Sequence, residues 1–514
     1  MTIPRNLSFL AEGASSTGVL GPANGGTGLS AVGTTGNVLT SNGTTWVSQA
    51  PSGGGGTPGG STTQVQYNNA GAFAGSANMT FNGTSLTLAN DATISTLTVG
   101  RGNGSVATNT AVGYRAMNAT ATGGNNLSVG YQAGLGISSG GFNTFVGSLA
   151  GSSISTGGSN TAIGYYALSS ASIYGKSTAI GTSAANSYSG NDTYGSVYIG
   201  NQSGNFNTTG VDNVFIGGQA GYGVNGSTTG GLNVAIGASA MGVYTTAVRC
   251  AAIGYQALGT LSSGIYNVAI GYQTGNALTT GVRNIFINYS SGGLLSTGND
   301  NISIGYFAGN GLNGAASTHI AIGNAALSTS SITSTIGAVA VGYQAGLSYT
   351  ATDTYGSFYG GYQSGYYNST GADNVFIGGN AGYGVSGSTT GGSNVAIGAR
   401  AMFSYTTGAQ NTVIGYQAGN TLTTGSNNIL LGYQSAPSAI TVSNEITIGN
   451  SSNTVLRYPH NYSTVASLPS ASTVGRGSRT FVTDALAPTF QSTVTGGGAV
   501  FTPVYSDGTN WKVG

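Results

Sequence analysis

A short alternation of apolar and polar residues recurs along most of this chain. Its fullest form is NVAIGYQTG at residues 267–275. Alignment on the central glycine gives twenty copies between about residues 109 and 453, with thirteen of nineteen spacings at 17 residues and the rest at 18 to 20. The aligned positions are Gly113, Gly130, Gly147, Gly164, Gly181, Gly200, Gly217, Gly237, Gly254, Gly271, Asn288, Gly305, Gly323, Gly342, Gly361, Gly378, Gly398, Gly415, Gly432 and Gly449. A fixed period of this length predicts stacked units, each too small to bury a core alone.

The three residues before each central position predict a short β-strand. The last of them is Val or Ile in eighteen of twenty copies, and the middle one is usually Ala, sometimes Phe, Tyr or Ser. Alternate strand residues point to opposite faces, so the β-branched pair shares one face and the Ala/Phe residue takes the other. Both faces are largely apolar, which suits a strand covered on both sides. The pattern predicts a parallel β-solenoid of about twenty rungs, a rod of roughly 95 Å at about 4.8 Å per rung. We expect a second chain to cover the Ala/Phe face.

Two further columns carry the predicted stack. The position three after the centre is Ala fourteen times, Ser five times and Thr once, which indicates close approach of backbone or of a neighbouring chain. The position four before the centre is Asn thirteen times. Either these amides form a hydrogen-bonded ladder along the stack, or Asn closes the preceding turn because it tolerates the left-handed conformation; the two are compatible. The residues chosen to represent this framework are Asn267, Ile270, Gly271, Ala257, Asn411, Ile414, Gly415 and Ala418.

Tyr follows the central glycine in eleven copies. Such a stripe is either a sugar-binding surface or a set of stacked packing contacts, and packing is the commoner use. Cys250, His319 and Glu445 occupy the Asn column in other copies, and we interpret each as a structural substitution rather than as a reactive group or ligand.

Composition narrows the class of protein. The 514 residues include 93 Gly, only 4% are charged, and the net charge is +1. No apolar stretch reaches the about 18 residues that a spanning helix needs, and the glycines lack the strict third-residue period of collagen. With no basic patch, nucleic-acid binding lacks its electrostatic basis. The segment 1–20 contains no apolar run of signal-peptide length, so a secretory signal is not predicted.

Turn-forming sequences divide the chain into five segments. We predict an N-terminal β-hairpin or attachment module at 1–50, a Gly/Ser/Pro linker at 51–63, a small β module at 64–100, the repeat shaft at 101–455, and a C-terminal capping or tip module at 456–514. Asn42-Gly43 and Asn82-Gly83 between alternating flanks predict hairpins. Residues 192–246 closely match residues 353–407 with an offset of 161, which predicts matching loops at two heights on one shaft.

The residue types needed for catalysis or metal binding are sparse. A glycan-cleaving site needs two carboxylates about 5 to 10 Å apart, and the array offers Asp192, Asp212, Asp300, Asp353, Asp373 and Glu445. The duplicates lie nine rungs apart, roughly 43 Å at about 4.8 Å per rung, so only Asp192 with Asp212 stays open as a pair. Two His and one Cys, far apart in sequence, make no zinc site. We expect a protein that is not an enzyme and that binds no cofactor or metal.

Several segments resemble modules of bacteriophage tail-fibre proteins, especially those of phages from aquatic bacteria. They are GGTGL…GNVLTSNGTTW near the N-terminus, VQYNNAGAFAGSANMTFNGTSLTL, and RTFVTDA…TVTGGGAVFTPVYSDGTNWKVG at the C-terminus. The NxAIG repeats are similar to the head repeats of trimeric autotransporter adhesins, which form a trimeric parallel β-roll, although the repeat here is longer. The resemblance implies a homotrimeric fibre in the virion tail. The fibre would be made in the host cytoplasm and released by lysis, with a virion tail or adaptor protein and a host surface glycan or protein as partners. A cellular surface adhesin or filament and a glycan depolymerase are the alternatives.

Receptor contact is predicted for the C-terminal module. It leaves the period, concentrates charge, and ends in a hairpin that carries Tyr505, Asp507 and Trp511. Aromatic rings beside a polar group suit stacking on sugars and anchor many interfaces. Alternatively, Trp511 is the core residue of a module that caps the last rung, as terminal repeats require. Trp46 in the related N-terminal hairpin supports that second interpretation.

Overall fold

A computed structural model describes strands 38–41 and 46–49 and then residues 64–514 apart from short gaps. The gaps are 70–71, 89–91, 96, 105, 118–119, 171–174, 191, 193, 330–331, 334–336, 351–353, 453–463, 477, 487–488 and 499. Within the described residues the chain is almost entirely β, with one 3-10 turn at Val465–Ser467 and one short helix, α1, at Ala471–Val474. The predicted linker at 51–63 and the Asn42-Gly43 turn lie outside the described residues.

In the described part of the chain, seven strands precede the repeats and three follow them. The first group is β1 (Val38–Ser41), β2 (Trp46–Gln49), β3 (Gln64–Asn69), β4 (Ala72–Phe81), β5 (Leu86–Leu88), β6 (Ala92–Ile94) and β7 (Leu97–Gly100). The repeat strands are β8 (Thr110–Val112), β9 (Leu127–Val129), β10 (Thr144–Val146), β11 (Thr161–Ile163), β12 (Thr178–Ile180), β13 (Val197–Ile199), β14 (Val214–Ile216), β15 (Val234–Ile236), β16 (Ala251–Ile253), β17 (Val268–Ile270), β18 (Ile285–Ile287), β19 (Ile302–Ile304), β20 (Ile320–Ile322), β21 (Val339–Val341), β22 (Phe358–Gly360), β23 (Val375–Ile377), β24 (Val395–Ile397), β25 (Thr412–Ile414), β26 (Ile429–Leu431) and β27 (Ile446–Ile448). The last group is β28 (Arg479–Ala485), β29 (Val500–Ser506) and β30 (Trp511–Val513).

The repeats form a parallel β-solenoid, which confirms the predicted fold. Each repeat strand is the three-residue segment before a central position, and it pairs in parallel with the strand of the next copy. In the middle of the ladder Ala269 pairs with Ala252 on one side and with Phe286 on the other. The antiparallel strands β6 and β7 lead into this ladder, β7 pairing with β8. Twenty strands in unbroken register give nineteen turns of the coil.

The central glycine ends each strand for a steric reason. Gly271 has φ 138°, and a Cβ built on it would lie 2.5 Å from the carbonyl oxygen of Asn288 in the next rung. Gly254 repeats the geometry, with its Cβ 2.3 Å from the Gly271 oxygen. A side chain at this position would therefore clash with the backbone stacked on it as well as strain its own backbone. The chain then turns through left-handed residues, such as Gln273 with φ 51°.

The solenoid interior lies on the Ala/Phe side of the strands. Ala269 and Phe286, which occupy the same position in consecutive repeats, are 0% exposed. Ile270, the residue after Ala269, is 39% exposed. The expectation that a second chain covers the Ala/Phe face is therefore wrong, because each coil closes round on itself and buries that face within one chain. Every described member of the small column, Ala257 and Ala418 among them, lies buried inside, except at the final rung. The apolar face left outside is the Val/Ile face.

The duplicated segments carry matching loops, as their sequences predict. In the first, the Thr228 hydroxyl accepts from the Val224 amide at 2.6 Å and donates to the Val224 carbonyl at 2.9 Å. In the second, Thr389 makes the same two bonds with Val385 at 2.6 and 2.9 Å. The longer repeats thus close by one shared loop at two heights of the coil.

Small antiparallel sheets lie in the sequence on either side of the solenoid. Strand β1 pairs with β2, β3–β4–β5 form one sheet, and β28–β29–β30 form another. Two of their hairpin loops are alike. Asn82 Oδ1 accepts the backbone N–H groups two and three residues later, at 2.9 and 2.7 Å. Asp507 Oδ1 does the same at 2.8 and 2.7 Å.

Candidate functional surfaces

An amide ladder runs through the interior of the solenoid. Asn267 Oδ1 accepts both the backbone N–H and the side-chain Nδ2 of Asn284, each at 3.0 Å, and Asn267 Nδ2 donates to the Gly281 carbonyl at 2.7 Å. These side chains are fully buried. The left-handed backbone belongs to the residue before the Asn in twelve of the thirteen copies, as at Arg283 with φ 58°. The Asn column therefore acts through its side chain and not through its own turn conformation.

The same ladder recurs at the other representative rung. Asn411 donates its Nδ2 to Asn394 Oδ1 at 3.0 Å and to the Gly425 carbonyl at 2.9 Å. Its own Oδ1 accepts the N–H and Nδ2 of Asn428 at 2.9 and 3.0 Å. Each amide thus satisfies the buried backbone of the turn beside it, which a packed interior requires. In the strand that follows Asn411, the Ile414 side chain lies on the outer face, and Gly415 comes directly after the strand.

The three substituted positions stay within the ladder. Cys250, His319 and Glu445 each donate a backbone N–H to the Asn of the preceding rung, at 3.0, 3.0 and 2.9 Å. His319 Nδ1 accepts the backbone N–H of Ala338 on the next rung at 2.9 Å. The Glu445 carboxylate accepts a hydrogen bond from the Thr447 hydroxyl at 2.6 Å. Burial raises the pKa of the Cys250 thiol. A thiol kept protonated is a poor nucleophile.

Asp192 fills the ladder where two consecutive rungs carry Ser in place of Asn. Its carboxylate accepts the hydroxyls of Ser177 and Ser196 at 2.5 and 2.7 Å and the backbone N–H of Asp212 at 2.9 Å. The hydroxyl of Tyr188 donates to it at 2.5 Å. Five donated bonds, counting the Ser196 N–H at 3.1 Å, surround a carboxylate that is almost fully buried. The pKa of the Tyr188 phenol is raised far above its usual range, and burial is the largest cause.

Two further carboxylates of the array accept hydrogen bonds, one from the backbone of a turn and one from an exposed arginine. Asp212 Oδ1 accepts the backbone N–H groups of Tyr194 and Gly195, at 2.8 and 3.2 Å. Asp300 forms a bidentate bond with Arg283 at 2.7 and 2.8 Å, which lowers the pKa of the carboxyl. Asp353 lies outside the described residues. Asp192 and Asp212 meet through a backbone amide, and both carboxylates already accept structural hydrogen bonds.

In the C-terminal hairpin the three predicted contact residues have different surroundings. Trp511 is 9% exposed, sits in the core of the β28–β30 module, and donates its Nε1–H to the Pro469 carbonyl at 2.8 Å. Tyr505 is half-buried. Asp507 closes the loop, and the N–H groups of Asn510 and Thr509 lower the pKa of its carboxyl. The placement of Trp511 is that of a core residue of its module.

The outside of the solenoid carries two regular side-chain rows. Tyrosines after the central position stack face to face, with ring centroids 5.2 Å apart for Tyr255 and Tyr272 and 5.0 Å for Tyr272 and Tyr289. Glutamines one position later bond along the stack, for example Gln273 Nε2 to Gln256 Oε1 at 2.8 Å. The glutamine row was missed in the sequence analysis, although Gln recurs two residues after the central position in nine copies.

Among the described residues, no group of three or more His, Cys, Asp or Glu could hold a metal ion. None of the described helices is long and apolar enough to cross a membrane. Comparison with protein-family models, with curated proteins and with solved structures gives no match for the chain. Its description therefore rests on the geometry above, which is that of a parallel β-solenoid repeat protein.

Proposed function

We propose that this chain is a structural fibre protein of a bacteriophage tail or related appendage, that it assembles as a homotrimer, and that it attaches the particle to a host surface. The observation that carries the proposal is the Val/Ile face of the solenoid. In nineteen of the twenty repeat strands the last residue is a partly exposed Val, Ile or Leu, as at Ile253, Ile270 and Ile414. A continuous apolar stripe of this length is unusual on a monomeric soluble protein and marks an interaction surface.

A second copy of the same chain is the partner that fits this face. The stripe repeats with the rung spacing, so an identical stripe matches it along its whole length. Closed rotational symmetry would cover the stripes without leaving an open edge that could grow into a filament. The charged fraction of 4% also fits a chain whose surface is shared with other copies. The resemblance to trimeric phage-fibre and adhesin modules favours three copies.

Mass measurement of the purified protein by light scattering tests the assembly. We expect a trimer that resists detergent and heat. A double change of Ile270→Lys with Ile287→Lys should dissociate it, because the two charges would lie in the covered stripe. Ser263→Lys, on an exposed turn of a neighbouring rung, is the control and should leave the trimer intact. A stable wild-type monomer at micromolar concentration would refute the assembly.

Immunogold electron microscopy tests the role. Antibodies against the protein should label the tail of virus particles that encode it, and the purified protein should bind the host cells. Labelling of a cell envelope in the absence of virus would instead establish the cellular adhesin or filament alternative. Release of reducing sugars from host polysaccharide by the purified protein would establish the depolymerase alternative.

A further inference from the structure

One groove on the solenoid surface breaks the equivalence of the two duplicated segments. It has a volume of about 370 Å³ and is lined by Gln219, Tyr222, Ser239, Gly242, Gln256 and Asn276 among others. This volume falls at the lower end of the range for small-ligand sites, about 300–1,000 Å³. At the matching height 161 residues later, Ser239 is replaced by Arg400 and Gly242 by Phe403. The sequence difference between the copies is therefore a difference in whether this space is filled.

The second copy shows what the space accommodates. There the Phe403 ring lies flat on the Tyr383 ring, with centroids 5.0 Å apart and planes at 6°. The guanidinium carbon of Arg400 lies over the Phe403 ring, 4.5 Å from its centroid. Tyr222 is the counterpart of Tyr383 and is held edge-to-face by Phe206 at 4.9 Å. With Gly242 in place of the phenylalanine, the corresponding ring-sized space beside Tyr222 is open.

The polar rim of the groove presents a donor and an acceptor. The glutamine row is interrupted at Ser239, between Gln219 and Gln256. Gln219 donates Nε2 to Gln202 at 3.1 Å, and Gln256 accepts from Gln273 at 2.8 Å. Within the described part of the chain this leaves Gln219 Oε1 free to accept and Gln256 Nε2 free to donate. The two side chains line the same groove on rungs either side of the missing position, roughly 10 Å apart at about 4.8 Å per rung.

We propose that this groove binds a neutral sugar, as a single pyranose unit of a host glycan stacked on Tyr222 and bonded by Gln219 and Gln256. A pyranose has an apolar ring face that suits an aromatic ring, and its hydroxyls both donate and accept, which suits one free oxygen and one free N–H. The lining contains no charged side chain. An ionised sugar would lose its hydration without gaining a counter-charge. That the bound sugar is part of a host receptor rests on the attachment role proposed above.

Saturation-transfer NMR with the full-length protein tests the groove. The probes are the neutral methyl glycosides of glucose, galactose, mannose and N-acetylglucosamine, with glucuronic acid as the charged comparison. At least one neutral glycoside should bind and glucuronic acid should not. Gly242→Phe should abolish binding because it rebuilds the filled state of the second copy. Its new Cβ would lie 3.2 Å from the Ser239 carbonyl oxygen, a close contact that needs a shift of a few tenths of an ångström. Gly242 does not adopt a left-handed φ, and the second copy carries Phe403 at the equivalent position, so the fold is expected to tolerate the change.

Two further variants keep the test decisive. Gln256→Ala should weaken binding about tenfold, roughly the value of one hydrogen bond. Thr280→Ala changes an exposed turn residue outside the groove lining and should leave the affinity unchanged. Failure of all four glycosides to bind, or unchanged binding by Gly242→Phe, would overturn the proposal. Sugar binding by a protein whose antibodies do not label virions would keep the groove and refute the attachment role. Labelled virions without sugar binding would keep the attachment role and refute the groove as a sugar site.

Discussion

The amide ladder provides the sharpest test of what holds the solenoid together. Asn284→Ala removes four hydrogen bonds. Asn284 Nδ2 donates to Asn267 Oδ1 at 3.0 Å and to the Gly298 carbonyl at 2.8 Å. Asn284 Oδ1 accepts the backbone N–H and the side-chain Nδ2 of Asn301, each at 3.0 Å.

Only two atoms would be left without a partner. Asn267 Oδ1 keeps the backbone N–H of residue 284, and Asn301 Nδ2 keeps the Ala316 carbonyl. The Asn301 N–H and the Gly298 carbonyl lose their bond and lie in buried residues. An unsatisfied buried group costs about 1–3 kcal/mol. Two of them predict a loss of about 2–6 kcal/mol in the free energy of unfolding.

Guanidinium chloride unfolding followed by circular dichroism measures this loss, and hydrogen exchange with mass spectrometry localises it. The Asn301 amide should exchange much faster in the variant. Thr280→Ala is the control, since Thr280 is exposed on a neighbouring turn and should change stability by less than about 0.5 kcal/mol. If Asn284→Ala unfolds at the wild-type midpoint with the Asn301 amide still protected, the ladder does not stabilise the coil.

Three other changes test separate parts of the molecule. Cys250→Asn restores the commonest residue of the ladder at a buried position, so it should raise the free energy of unfolding by about 1 kcal/mol for the regained hydrogen bonding; a lowered denaturation midpoint would contradict the ladder's role. Ala257→Leu forces a larger side chain into the filled interior and should cost about 1–3 kcal/mol, measured in the same denaturant titration, and an unchanged midpoint would place the column outside the core. For Asp507, hydrogen bonds lower the folded-state pKa, so its stabilisation is present above the unfolded value of about 3.9 and is lost as the pH falls through the folded pKa. In a Trp46→Phe background, Trp511 fluorescence should therefore report an acid transition, and Asp507→Asn should remove that component while preserving the loop, because Asn82 makes the same loop; an identical transition in both proteins would reject the assignment.

Much of the fold could be read from the sequence because the repeat averages out local ambiguity. Twenty aligned copies place the strands before each central glycine, and the structure puts them there. The matching loops of the duplicated segments follow from their matching sequences in the same way. The glycine column is predictable because its cause is local: a stacked backbone oxygen lies where the Cβ of Gly271 would stand.

The sides of the strand could not be decided from the pattern alone. Ala269 and Ile270 are both apolar, and period-two alternation separates the two faces without telling which one is enclosed. The direction in which the coil closes decides this, and it depends on left-handed turns at residues such as Gln273. The chain encloses the column that carries Ala269 and Phe286 and leaves the Ile270 column outside.

The role of Asp192 and the groove beside Tyr222 also required the tertiary structure. Asp192 precedes Ser196 in sequence but reaches Ser177 on the previous rung, so its five donors come from different turns. The groove exists because residues about 17 apart become neighbours and one of them, Gly242, lacks a side chain. The sequence by itself determined the period, the strands and the glycine positions, since these depend on neighbours within one repeat. The enclosed face, the buried carboxylate and the open groove depend on how the turns stack, and only the tertiary structure decided them.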